Sequence, residues 1–125
     1  MNVIIRNNNL IFKENYKMVS VSLSEVVFFE SMGHYILLHM KNGTTHTARC
    51  AMCELAAMLE GMNFLRAHRG VLVNLGYVIK VKSTELLLDS IWERVPMSRR
   101  YKEDTKKAFE DYCILCQKVE NRGII

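Results

Sequence analysis

Proline is almost absent from this chain, and long apolar runs are missing altogether. A single Pro in 125 residues, with an apolar content of 50%, argues against a disordered Pro-rich chain and fits one compact domain. The longest apolar runs have the length of strands, far below the roughly 18 residues that a spanning helix needs, and no secretory signal is visible. We therefore expect a cytoplasmic protein with no membrane partner.

The motifs of common enzymes are missing as well. The sequence has no Gly-rich phosphate loop, no nucleophile elbow and no His-Glu-x-x-His segment, and its glutamates form no recognisable acid–base pair. We expect no catalysis, no cofactor and no small-molecule substrate. No two predicted helices follow each other across a short turn, which disfavours a helix-turn-helix reader of DNA. If the chain binds DNA, loops between strands must read it.

The net charge of +4 is small but unevenly distributed. Residues 66–102 contain eight basic and three acidic side chains, a net charge of +5, whereas residues 1–65 are neutral and residues 103–125 carry −1. This concentration indicates a localised anionic partner such as nucleic acid, and it also fits an ordinary solvated face.

Apolar patterns predict a mainly β fold with about nine short strands and two helices. Asn7-Asn8-Asn9 predicts a turn inside an N-terminal hairpin. Asn42-Gly43 predicts a type I′ hairpin turn, which needs positive φ at both central residues. Apolar spacing predicts a short helix over 50–60, ended by Gly61, and a second helix over about 100–119. Strands are predicted over 2–6, 10–12, 18–23, 26–30, 35–40, 44–48, 77–81, 84–88 and 91–95.

Two basic points stand out between these elements. In Phe64–Asn74 an alternating half is followed by a β-branched run, which predicts two strand pieces flanking an exposed basic tip. The second point, Ser98–Lys102, follows shortly after Pro96. We interpret the chain as a β-sheet scaffold that presents both of these basic points to a polyanion.

The sequence resembles the LytTR DNA-binding domain in residues 26–31, 33–35, 64–74 and 95–101 and in the predicted helix at 54–59. The most specific part is His-Arg-x-x-x-Val-Asn followed by Pro-x-Ser-Arg-Arg-Tyr. The resemblance covers about residues 18–112, which leaves a hairpin extension at 1–17 and the end of a helix and a tail at 113–125. It implies an elongated stack of small antiparallel β-sheets. It also implies a bacterial, response regulator-like transcriptional regulator that binds double-stranded DNA at paired or direct-repeat sites, as a homodimer.

The resemblance assigns the DNA contacts residue by residue. It places His34 in a major groove, Arg69 over the intervening minor groove and Arg99 in the next major groove. Arginine can bond guanine bidentately, and a narrow A·T-rich minor groove attracts arginine. The neighbouring Arg100 and Lys102 suit phosphate contacts that fix register. Without the resemblance, a lone histidine beside an apolar strand is more often an ordinary surface or core residue, so the DNA contact of His34 depends on the loop match.

Three more polar residues lie in the first basic stretch. We expect His68, in an alternating strand, to face inward and bond the backbone. Asn74, at a strand end, should form an Asx-type turn. Both should shape the loop, and Arg66 is open to either a structural or a DNA-contacting role.

Four cysteines supply a rival hypothesis. Cys50 with Cys53, and Cys113 with Cys116, form two Cys-x-x-Cys pairs that can bind Zn²⁺ or act as a redox switch. The pairs are much farther apart than in compact zinc ribbons, and both lie in predicted helices, where cysteines are commonly small buried hydrophobes. We expect no disulfide framework and no metal. A thiol or zinc sensor, and an interaction module that antagonises a LytTR regulator, remain alternatives.

LytTR domains usually follow a phosphoacceptor receiver domain, whereas about 17 residues precede the resemblance here. These residues contain no βα repeat pattern and no acidic pocket. We expect no phosphorylation control within the chain. A free-standing regulator under the control of a partner and a piece of a longer protein both stay open.

Overall fold

The computed structural model describes the backbone of residues 2–123 and the side chains of residues 2–116. Over this range, eleven strands form three antiparallel sheets accompanied by two α-helices, which confirms the predicted mainly β fold. Neither helix is long and apolar enough, within the described range, to span a bilayer. The elements are β1 (Val3–Arg6), β2 (Asn9–Glu14), β3 (Lys17–Ser22), β4 (Val26–Met32), β5 (Tyr35–Met40), β6 (Thr45–Arg49), α1 (Met52–Met58), β7 (Phe64–His68), β8 (Val71–Asn74), β9 (Val78–Val81), β10 (Glu85–Leu88), β11 (Arg94–Pro96) and α2 (Arg99–Gly123).

The N-terminal sheet has the order β1-β2-β3 and contains the predicted hairpin. Asn7 and Asn8 form its turn with φ of 51° and 61°, a left-handed conformation that asparagine tolerates. The buried side chains Val3, Leu10 and Phe12 belong to the same apolar cluster as the central sheet. The N-terminal strands therefore contribute to the main core of the domain.

A carboxylate links the N-terminal sheet to the central one. His46 Nδ1 on β6 lies 2.8 Å from Glu14 Oε1, and the Thr47 backbone N–H donates to Glu14 Oε2 at 2.6 Å. Burial raises the pKa of Glu14, but the hydrogen bonds from His46 and Thr47 and the charge of His46 outweigh burial and lower this pKa below its ordinary value. The contact thus favours the ionised carboxylate in the folded state.

The Glu14 contact gives the folded protein a specific acid sensitivity. A carboxyl group whose pKa is lowered by folding stabilises the protein above its ordinary pKa, and this stabilisation is lost as the pH falls through the folded pKa. Between about pH 5 and pH 3, the free energy of unfolding should fall more steeply in the wild type than in Glu14→Gln. Urea titrations across this range measure the slopes, with the exposed Glu60→Gln as the control. Equal slopes for wild type and Glu14→Gln would contradict the assignment.

The central sheet has the strand order β6-β5-β4-β8-β7. Its strand β4 begins with four fully or nearly buried residues, as predicted for a strand covered on both faces. Val26 and Phe29 belong to the core shared with the N-terminal sheet and α1, whereas Val27 and Phe28 belong to a second core shared with β9–β11 and α2. Strand β4 therefore separates the two cores of the domain.

The third sheet, β9-β10-β11, is shorter than the sequence pattern predicts. The prediction of a strand over 91–95 is wrong for its first half, because only Arg94–Pro96 pairs with β10. Glu93 has a φ of 63°, and Trp92 Nε1 donates to the Met40 carbonyl at 2.8 Å. The indole thus holds this segment against the central sheet as a turn.

The hairpin at Asn42-Gly43 is confirmed, but its predicted type I′ turn is wrong. Of the two residues only Gly43 has positive φ, at 90°, and its N–H donates to the Met40 carbonyl at 3.0 Å. The Asn42 side chain accepts from the Thr44 backbone at 3.0 Å, and a Cβ at Gly43 would lie 2.7 Å from Ile91 Cδ1. Together these contacts favour a three-residue loop with glycine in the left-handed position.

Candidate nucleic-acid interface

His34 lies at the turn between β4 and β5. Met32 pairs with Tyr35, so Gly33 and His34 alone connect the two strands. Gly33 has a φ of 62° at the first central position, where a tight hairpin favours glycine. The imidazole of His34 is exposed at the tip of this short hairpin.

Arg69 lies at the turn between β7 and β8, which confirms the predicted strand pair with an exposed basic tip. Arg66 Nη2 donates to the Arg69 carbonyl at 3.0 Å, and the Gly70 N–H donates to His68 Nδ1 at 3.2 Å. The backbone of the tip is held from both sides while the Arg69 side chain stays exposed. The expected backbone bond of His68 is confirmed, although its side chain is half-buried, and Arg66 has a structural contact in the loop.

The Arg69 turn lies beside the His34 turn at one end of the central sheet. Glu30 on β4 pairs with Val71 on β8, and the Ser31 N–H donates to the Gly70 carbonyl at 2.8 Å. The strand order β5-β4-β8-β7 puts two strand spacings, about 10 Å, between the centres of the two turns.

The second basic point, Ser98–Lys102, adjoins the outer strand of the same sheet. The Ser98 N–H donates to the Ala67 carbonyl of β7 at 2.9 Å, and α2 begins at the next residue, Arg99. Arg99 and Arg100 are exposed, Lys102 is half-buried, and the first turn of α2 contains no acidic residue. This point therefore lies beyond Arg69 on the side away from His34.

The predicted contact residues carry uncompensated charge. Three ion pairs occur among the side chains of residues 2–116, and none involves an arginine or lysine of the basic points. The guanidinium of Arg100 lies 5.5 Å from the centre of the Tyr101 ring. These cations are thus available to an external anion.

Asn74 fixes the far end of β8. It is buried, and its Oδ1 accepts from the Gly76 N–H at 2.9 Å, which confirms the predicted Asx-type turn. Its Nδ2 donates to the carbonyls of Val26 and Leu23 at 2.9 Å and 3.4 Å. Asn74 therefore joins β8 to the chain that enters β4, the strand that positions both the His34 and Arg69 turns.

The cysteines differ in their surroundings. Cys50 is buried and precedes α1, so the prediction of a helical position is wrong for this residue. Cys53 and Cys113 are exposed and Cys116 is half-buried, so the interpretation as buried hydrophobes fits Cys50 best. Burial, followed by the neighbouring charges of Glu54 and Cys53, raises the pKa of the Cys50 thiol. Among the described residues, no group of three or more His, Cys, Asp or Glu side chains is placed to hold a metal ion.

Comparisons with known proteins identify the family and a similar fold. A family model for the LytTr DNA-binding domain matches residues 16–110, whereas no curated protein gives a significant match. The fold is similar to the LytTr DNA-binding domain of a protein from Bacillus cereus described as a methyl-accepting/DNA response regulator, with a TM-score of 0.68 and 21% sequence identity. That alignment covers 82% of this chain and 97% of the other. Because the family model spans most of the sequence, the chain belongs to the LytTR family of DNA-binding domains.

Proposed function

We propose that this chain is a sequence-specific DNA-binding transcriptional regulator that reads successive grooves of the duplex from one end of its central sheet. The supporting observation is the order of three exposed points across that end: His34 at the β4–β5 turn, Arg69 at the β7–β8 turn, and Arg99 beyond β7. The spatial order of these three residues follows from the strand order of the central sheet. It also follows from two backbone hydrogen bonds, one from Ser31 to Gly70 and one from Ser98 to Ala67. The proposal includes action in the cytoplasm, where the DNA partner would be met.

The spacing of His34, Arg69 and Arg99 suits the successive grooves on one face of a DNA duplex. The minor groove of B-DNA is about 6 Å wide, and the His34 turn lies about 10 Å from the Arg69 turn. An Arg69 side chain over the minor groove therefore leaves His34 beyond its edge, on the side of a major groove. Arg99, on the opposite flank of Arg69, faces the next major groove.

Each side chain has chemistry appropriate to its groove. The guanidinium of Arg99 presents two parallel donors to guanine O6 and N7. The positive charge of Arg69 is attracted to the concentrated negative potential of a narrow A·T-rich minor groove. The ring nitrogens of His34 can donate or accept at a base edge.

Arg100 and Lys102 are proposed to bind phosphate. Two arginines and a lysine begin α2, and its first turn contains no acidic residue, although a cation at a helix N-terminus costs about 0.3–1 kcal/mol in helix stability. Their placement thus disfavours the isolated helix and suits an anion, which the backbone N–H groups of the same turn also attract. Such contacts fix the register of the protein without reading sequence.

The phosphate assignment predicts a change in salt dependence. Log K falls as log[salt] rises, and Arg100→Ala and Lys102→Ala should each make this slope less steep by about 0.9. The sequence preference should stay intact. Fluorescence anisotropy titrations over a range of salt concentrations give the slopes. Lys41→Ala is a matched control, because this exposed lysine follows β5 at the opposite end of the strand from His34. Wild-type slopes in both variants would place the phosphate contacts elsewhere.

The regulator is further proposed to bind paired or direct-repeat sites as a homodimer. A single copy with three groove contacts covers about one helical turn, so two copies can occupy half-sites separated by a whole number of turns. Inserting about five base pairs between half-sites should weaken binding more than inserting about ten, because only the latter restores the helical phase.

The function itself is tested with a duplex that the wild-type chain enriches from a random pool. Affinity for this duplex should exceed affinity for a shuffled duplex by at least about 10³-fold at physiological salt. Reductant and chelator should leave the ratio unchanged. Equal affinities would refute sequence-specific binding, and loss of binding on chelation together with stoichiometric zinc would support the sensor hypothesis instead.

A further inference from the structure

The end of the molecule that carries His34 continues onto the N-terminal sheet. Tyr35 follows His34 directly and pairs with Arg49 at the end of edge strand β6. Tyr35 and Arg49 line an open cleft of about 520 Å³ together with Lys13 and Tyr16. The β2–β3 turn therefore stands next to the His34 turn, on the side away from Arg69.

The β2–β3 turn has an unusual residue at its tip. Glu14 pairs with Lys17, so Asn15 and Tyr16 form a two-residue loop, and both have positive φ, at 49° and 65°. Glycine is the preferred second residue of such a turn, and a bulky residue there is a conformational outlier. The Tyr16 side chain is 94% exposed and belongs to neither apolar core. Tyr16 therefore occupies a glycine position without packing against the described protein.

Two cations and one carboxylate line the cleft. Lys13 and Arg49 are exposed and join none of the ion pairs among the described side chains. Glu14, on the cleft wall, already accepts hydrogen bonds from His46 and Thr47. Glu54 lines an adjacent smaller cleft with Arg49 and likewise joins none of those ion pairs.

We infer that Lys13, Tyr16 and Arg49 form a second phosphate-binding surface, which contacts the DNA backbone flanking the groove entered by His34. This inference rests on the proposed function, because it needs the duplex to lie across the His34 end of the sheet. Lysine and arginine bind phosphate oxygens by charge, and the tyrosine hydroxyl donates a hydrogen bond to one of them. Since the family model begins at residue 16, Lys13 and most of the N-terminal sheet lie outside the matched region. This surface would lengthen the footprint of the protein on DNA on the His34 side.

The probe is the duplex enriched from a random pool by the wild-type chain, prepared in a long form and in forms truncated on either side. On the long duplex, Lys13→Ala/Arg49→Ala should reduce the slope of log K against log[salt] by about 1.8, the contribution of two phosphates. Truncation of the duplex on the His34 side should reduce this salt slope by a similar amount in the wild type. The same truncation should leave the salt slope of the double variant nearly unchanged. Truncation on the Arg99 side should affect both proteins equally.

Two further variants separate binding from folding. Tyr16→Gly should weaken binding several-fold while the midpoint of thermal unfolding stays the same or rises, because glycine is favoured at this turn position. Arg6→Ala, an exposed cation next to the opposite turn of the same sheet, should bind like the wild type. A structural role for Tyr16 would instead lower the unfolding midpoint and the affinity together.

The inference is overturned if the double variant retains the wild-type salt slope, or if its loss of affinity is the same on long and truncated duplexes. When Arg99→Ala still loses sequence preference in the same assay, such a result concerns this surface alone. If the wild type enriches no preferred duplex from the pool, the proposed function fails and this inference fails with it.

Discussion

Arg99→Ala should lower affinity for the preferred duplex by about 5- to 150-fold and leave affinity for a random duplex almost unchanged. A bidentate arginine–guanine contact is worth about 1–3 kcal/mol of discrimination, and 1.4 kcal/mol corresponds to a factor of ten. Arg99 is exposed at the first residue of α2, held against β7 by the preceding Ser98. Its loss therefore removes a base contact without disturbing the sheet.

Two companion variants make the Arg99 measurement decisive. Arg99→Lys keeps the charge but lacks the planar pair of donors, so it should lose most of the same discrimination. Arg100→Ala, its exposed neighbour, should weaken preferred and random duplexes alike. Equal losses on both duplexes for Arg99→Ala, with an unchanged circular dichroism spectrum, would make Arg99 a phosphate contact instead of a base-reading residue.

Asn74→Ala should lower the free energy of unfolding by about 2–4 kcal/mol. The substitution leaves the carbonyl of the buried Val26 without its side-chain partner, and an unsatisfied buried polar group costs about 1–3 kcal/mol. It also removes the hydrogen bond to the N–H of the exposed Gly76. The weaker bond to the Leu23 carbonyl is lost as well. Urea unfolding, with the slope against denaturant checked for a change in compactness, measures the effect.

Asn42→Ala is the matched control for Asn74→Ala. Asn42 also accepts hydrogen bonds through its side chain, but it does so from Thr44 in an exposed turn. Water can replace these bonds, so the free energy of unfolding should fall by less than about 1 kcal/mol. If both variants were destabilised equally, the burial of Asn74 would not be the cause of its importance.

Local signals in the sequence were sufficient for much of the fold. The turn at Asn7-Asn8 and the strand pair around Arg69 depend on residues close together in the chain, and both are confirmed. The Asx-type turn of Asn74 involves a partner only two residues away. The consecutive apolar residues of β4 predict a strand that is buried on both faces, and the two cores on either side of it confirm this prediction.

The predictions that were wrong depend on contacts between distant residues. Periodicity extended the last strand back to residue 91, whereas Trp92 bonds the Met40 carbonyl, 52 residues earlier. The turn type at Gly43 reflects the close approach of Ile91 as well as the local asparagine. Composition also gave no sign that Glu14 would meet His46 across two sheets.

The arrangement of the candidate site likewise depends on contacts between residues that are distant in the sequence. Charge clustering identified the basic points, and the family resemblance supplied the roles of His34, Arg69 and Arg99. Their order across one sheet end depends on the pairing of β4 with β8, which no pattern in the sequence specifies. The cleft formed by Lys13, Tyr16 and Arg49 has no sequence signal, because Arg49 on β6 is far along the chain from the β2–β3 hairpin that carries Lys13 and Tyr16.

The most direct test of groove reading is to enrich preferred duplexes from one random pool with the wild type and with three variants, His34→Ala, Arg69→Ala and Arg99→Ala. The proposal predicts that His34→Ala loses sequence preference on one flank and Arg99→Ala on the other, while Arg69→Ala loses only the preference for A·T pairs between them. Loss at the same positions in all three variants, or wild-type preference retained in all three, would contradict it.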